Sequence, residues 1–152
     1  MGTLVWRDDW LLGIEPLDQD HREMVRLVNA VLCADPGADA TAQGASQAAA
    51  QASPIGVRMQ ALIDHLRDHF AREESFLEAI DYPDSAEHRA QHAIELADLI
   101  TLARVLSERG AACIGQDGAE GIKRWFFDHV IAEDRRYARY YHEGLGAGDA
   151  NG

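Results

Sequence analysis

The chain has 152 residues, 47% of them hydrophobic, and sets 14 basic against 26 acidic side chains for a formal charge of −12. This length implies one domain with a core of ordinary size, and the apolar content argues against a disordered chain. So acidic a surface is repelled by phosphate backbones and anionic lipid, and no apolar run reaches the roughly 18 residues of a spanning helix, which argues against nucleic-acid binding and membrane insertion.

Residues 1–17 hold Trp6, Trp10, Leu11, Leu12 and Ile14, with Gly13 and Pro16 as breakers. This predicts an extended arm laid on a core. Its acidic start does not read as a signal peptide, so a cytoplasmic location is expected. A first helix is expected over about 18–34, capped by Asp18, with an apolar stripe of His21, Met24, Val25, Val28, Val31 and Leu32. Residues 35–53, rich in Ala, Gln, Gly and Ser, read as a long loop with at most a turn or two of helix.

The second helix is expected over about 54–80, with Val57 or Met59, Leu62, Leu66, His69, Glu73, Leu77 and Ile80 on one face. The turn Asp81–Asp84 leads to a third helix over about 85–109, capped by Ser85 and stopped by Gly110, with His88, His92, Leu96, Leu99 and Leu106 in line. The fourth, over about 117–136 and capped by Asp117, carries Ile122, Trp125, Phe126, His129, Val130 and Asp134. The tail, 137–152, ends in a Gly-rich stretch that reads as frayed, with His142 in solvent and Tyr137 and Tyr140 packing a helix end. Cys33 and Cys113 form no CxxC pattern, and a reduced pair is expected. With no strand pattern, the fold is all-α: an antiparallel up-down-up-down four-helix bundle with an N-terminal arm, a single domain over 1–152.

In such a bundle His21, His69, Glu73, His88, His92, His129 and Asp134 all fall at one level. Imidazole and carboxylate are costly to bury unless paired or bound to metal. His69 and Glu73 are i,i+4, as are His88 and His92, so each pair projects from one face. His129 and Asp134 are i,i+5, about 140° apart on an α-helix, and reach one centre only by different approaches. Seven donors exceed one tetrahedral zinc and suit two metal ions sharing carboxylates, with iron the leading candidate where a coordination position is left open.

These residues resemble the hemerythrins, and within them the single-domain bacteriohemerythrins. The resemblance runs from about Trp6 to Tyr141 and rests on GIEPLDQDH (13–21), HFAREE (69–74), YPDSAEHRAQH (82–92) and WFFDHVIAED (125–134). It implies two non-haem iron ions, one on His88, His92 and His129, the other on His21 and His69. Glu73, Asp134 and an oxo or hydroxo group would bridge them. It further implies reversible O2 binding, as hydroperoxide, at the open position of the His21/His69 iron, serving carriage, delivery, storage or sensing. A di-iron redox enzyme (peroxidase, oxidase or nitric-oxide scavenger) and iron storage are the alternatives. A monomer is expected, with a separate protein partner or reductase.

Leu66, Phe70, Trp125, Phe126 and Val130 are candidates to line an O2 pocket, and plain core packing accounts for them equally. Two features depart from common members: the longer loop after the first helix, and His65, where an aromatic residue such as tyrosine is frequent. His65 is expected to pack or to touch a ligand rather than to bind metal. Glu74, about 100° round the helix from Glu73, reads as a surface charge.

Overall fold

The computed structural model describes residues 2–32 and 54–149. The 35–53 loop and its alanine-rich stretch lie outside them. Helix α1 spans Glu15–Val31, α2 Ile55–Ala79 and α3 Ser85–Glu108. The fourth helical run has three successive stretches: α4 (Gln116–Phe126), a π-helical segment (Phe127–Glu133) and α5 (Asp134–Asp149). The fold is a four-helix bundle, and no strand occurs among the described residues. The Gly-rich end of the tail is not frayed as far as it is described: the fourth run stays helical to Asp149, with Tyr137 and Ala138 buried against the bundle end.

Asp18 is not the cap of α1. The helix starts at Glu15, and the buried Asp18 carboxylate accepts the amides of Leu12 (2.7 Å), Gly13 (3.1 Å) and Ile14 (3.2 Å). It thereby satisfies the donors of the incoming arm, which no helix or sheet could pair. The arm makes one 3₁₀ turn at Asp8–Trp10 and buries Leu4 and Trp10.

Two helix ends close in the same way. At the end of α3, Gly110 sits at φ 62°, its amide donating to Ser107 O and that of Ala111 to Leu106 O. At the end of α2, Asp81 takes φ 53°, with its amide on Glu78 O and that of Tyr82 on Leu77 O. Both are Schellman motifs, which cap the last carbonyls and reverse the chain at once. The second buries Tyr82 and starts α3 with His88 facing Glu73 across the interior.

Most residues of the predicted stripes are buried, with Met59 inside and Val57 out in solvent on α2, while Ile80, Leu96 and Trp125 are only partly buried. The interior divides into two apolar clusters. The larger includes Met24, Val28, Met59, Leu62, Leu66, Phe70, Phe126 and Val130; the smaller includes Leu12, Leu17, Leu77, Tyr82 and Tyr137. The polar layer lies between them in sequence on each helix and is sealed from both ends. Cys113 is disulfide-bonded, which corrects the expectation of a reduced pair; Cys33, the other cysteine of the sequence, lies outside the described residues.

Candidate metal centre

All seven predicted donors are buried, none more than 7% exposed. They form two sets among the described residues: Glu73, His88, His92 and His129, and His21, His69, Glu73 and Asp134. Within each set the donor atoms all lie within 4.8 Å of one another. Glu73 belongs to both. Its Oε1 is 2.6 Å from His88 Nε2 and 3.1 Å from His92 Nε2, and its Oε2 is 3.0 Å from His69 Nε2. Asp134 also faces both halves, with Oδ2 3.2 Å from His21 Nε2 and Oδ1 3.3 Å from His129 Nε2 and 3.4 Å from His88 Nε2.

The fourth helical run solves the i,i+5 problem. Over Phe127–Glu133 the backbone is π-helical, and the Asp134 amide donates to His129 O, five residues back. A π turn holds more residues per turn than an α turn. His129 and Asp134 therefore come onto one face, where a straight α-helix would splay them.

The sets fit metal ions better than they fit each other. Both nitrogens of His21, Nε2 of His69 and both oxygens of Asp134 are buried with no hydrogen-bond partner. The His21–Asp134 and His69–Glu73 contacts are close but lack hydrogen-bond geometry, as expected of lone pairs aimed at a common centre rather than at one another. The Nε2 atoms of His92 and His129 face each other at 3.2 Å, an arrangement that needs a proton or a cation between them.

Three further carboxylates fix this orientation from outside. His69 Nδ1 donates to Asp20 Oδ2 (3.0 Å), His92 Nδ1 to Glu74 Oε1 (2.9 Å) and His129 Nδ1 to Glu95 Oε1 (3.0 Å). A carboxylate only accepts, so Nδ1 carries the hydrogen and the Nε2 lone pair turns inward. Glu74 is thus not the surface charge expected from its helix angle; its side chain is 25% exposed and reaches across to α3. Asp20 and Glu95 escaped sequence reading altogether. The available signal was their place beside the ligand motifs, one residue before His21 and three after His92.

Tyr137 does more than pack a helix end. It is fully buried and donates its hydroxyl to Glu73 Oε2 at 3.0 Å. Tyr140 does cap a helix end, donating to Asp81 O. His65 joins neither donor set: half-buried, it donates from Nε2 to Asp20 O at 2.9 Å and lies nearly parallel to His69, ring centroids 6.4 Å apart. His142 is exposed as expected, yet donates to Leu12 O at 2.7 Å.

The fields in the layer are strong. Burial lowers the pKa of His69, but the hydrogen bond to Asp20 and the close carboxylates of Glu73 and Asp134 outweigh it and raise the value to about 9. His129 also reaches about 9, burial being overcome by Asp134 and by the bond to Glu95. Burial raises the Glu73 pKa, yet the close His69 imidazole and bonds from His88 and His92 carry it well below the ordinary value.

Of the five pocket candidates, Phe70 stacks on His92 at 3.8 Å and lies 5.8 Å from His129 and 5.9 Å from His69. Trp125 lies 6.2 Å from His129, on the three-histidine side. Leu66 and Trp125 line a mostly apolar cavity of about 260 Å³ with Leu99, Leu102 and Ile122. Phe126 and Val130 are fully buried in the larger cluster.

Comparison with known proteins agrees with this geometry. The chain is 29% identical over 142 residues to a bacteriohemerythrin of Stenotrophomonas maltophilia, covering 91% of this chain and 81% of that one. It is 28% identical over 141 residues to a bacteriohemerythrin of Pseudomonas aeruginosa, covering 90% and 80%. A crystal structure of a hemerythrin mutant superposes with a TM-score of 0.68 at 24% identity, covering 91% of this chain and 97% of that one, a likeness of fold. The family model of the hemerythrin HHE cation binding domain matches residues 12–141. Four helices, two donor sets joined at Glu73 and this match over most of its length place the chain in the hemerythrin family.

Proposed function

We propose that this protein holds two iron ions in the buried layer and binds O2 there reversibly. His88, His92 and His129 would hold one ion and His21 and His69 the other, with Glu73, Asp134 and a solvent-derived oxo or hydroxo group shared. The observation that supports this best is the pair of donor sets meeting at one fully buried carboxylate, closed above and below by apolar clusters. Two ferrous ions held there would supply the two electrons needed to bind O2 in reduced form.

The chain's own residues do the rest. The second donor set offers two imidazoles where the first offers three, so an ion held by His21 and His69 would be the one with room for a further ligand. Leu66, Phe70, Phe126 and Val130 close the layer on the side of the larger apolar cluster, which protects a reactive complex from water arriving there. Asp20, Glu74 and Glu95 hold the imidazoles in the tautomer that coordinates. Such a site serves carriage, delivery, storage or sensing of O2, with a reductase returning oxidised iron to the ferrous state.

The test is anaerobic reduction of the iron-loaded protein, admission of O2, and then its removal under vacuum, followed in the near-ultraviolet and visible. Charge-transfer bands that appear and then vanish support a reversible binder. Immediate irreversible oxidation with release of peroxide would favour a redox enzyme instead.

A further inference from the structure

The carboxylates behind the histidines are unevenly distributed, and the unevenness follows the two donor sets. In the three-histidine set, His92 is backed by Glu74 and His129 by Glu95, while His88 meets carboxylates through its inward Nε2. Glu74 has only a loose competitor, Arg89 at 3.5 Å. Glu95 has further neighbours only in neutral groups, the Gln91 amide at 3.1 Å and the Trp125 indole, both of which favour its charged form. In the two-histidine set the one backing carboxylate is Asp20. Arg72 already grips it with both arms, at 2.8 and 2.9 Å, so much of its charge is spent on the guanidinium. The other ligand of that set, His21, has no partner on Nδ1 at all.

A carboxylate behind a coordinating imidazole fixes its orientation and makes Nε2 a better donor. From this asymmetry we infer that Glu74 and Glu95 are positioning residues that make the three-histidine half the tighter metal position, so that metal leaves the His21/His69 half first and a one-metal protein forms on the way. The inference rests on the two-metal reading above. Ligand number alone favours the same order, so the carboxylates themselves must be tested.

The protein is loaded with two equivalents of ferrous ion under argon and mixed with an excess of a chromogenic ferrous chelator. Release is expected in two phases of equal amplitude. His21→Ala should keep only the slow phase, assigning the fast one to its half. Glu74→Gln and Glu95→Gln are nearly isosteric and keep an acceptor for Nδ1 while removing the charge. Each should speed the slow phase by ~10- to 100-fold and leave the fast phase unchanged. Asp20→Asn should speed only the fast phase. Far-ultraviolet circular dichroism checks that each variant is folded, and the two phases of the unmodified protein test the order without any variant. Two ions released in a single phase, or Gln variants with parental rates, would overturn the inference while leaving the two-metal reading standing. Failure to take up two equivalents would sink that reading and the inference with it.

Discussion

Tyr137 donates its hydroxyl to Glu73 Oε2 inside the bundle, where both side chains are wholly buried. The bond links the carboxylate common to both donor sets with the smaller apolar cluster, and so ties the metal layer to the bundle end. Tyr137→Phe keeps the ring packing against Phe76 and Tyr82 and removes one hydrogen bond to a charged acceptor. The expected cost is about 1.5–3 kcal/mol of folding stability in denaturant titrations, with two metal ions still bound. An unchanged midpoint would mean that the bond contributes nothing.

Because Glu73 belongs to both donor sets and His21 to one, their loss should differ in kind. His21→Ala should bind about one ferrous ion per chain, and Glu73→Ala fewer, with the remainder weakly held. Metal analysis after gel filtration decides. If Glu73→Ala kept two ions, the carboxylate would not be shared.

His65 touches the site only through the main chain of Asp20 and the face of His69. His65→Phe should therefore keep both metal ions and lose about 1 kcal/mol of stability through the missing hydrogen bond. Loss of an ion would make His65 a ligand. Phe70→Ala is the harsher change, since the ring is stacked on His92 in the core. It should cost about 3–5 kcal/mol, as buried phenylalanine truncations do, and shorten the lifetime of any oxygenated form.

The pH dependence has a definite sign. In chelator-treated protein, His69 and His129 titrate near 9, above their ordinary value of 6.5. The stability their protons contribute is complete below about pH 6.5 and is lost as pH rises through about 9. Metal must displace those protons, so its binding strengthens over the same interval and releases protons. Denaturant midpoints of the metal-free protein should fall between pH 6.5 and 9.5 while ferrous affinity rises. A midpoint that rose across this range would contradict the ion pairs described here.

The helices, their buried faces and the seven converging donors were legible in the sequence, because helical period and burial are local rules repeated over many residues. His69 with Glu73 and His88 with His92 could be paired from spacing alone, since i,i+4 on an α-helix is a fixed geometry. Four things only the tertiary structure decided. The π-helical segment that swings Asp134 back onto the His129 face is a backbone choice that no residue pattern announced. Asp20, Glu74 and Glu95 lie on the outer side of their helices by angle, and become partners of His69, His92 and His129 because the neighbouring helix packs there. Tyr137 reaches Glu73 across 64 residues of chain. The C-terminal segment, weakly apolar and rich in glycine, is helical to Asp149 with Tyr137 and Ala138 seated against the bundle end. What the sequence determined by itself was which groups must be inside. Which atoms face one another depended on helix packing, where contacts between residues far apart in the chain outweigh local preference.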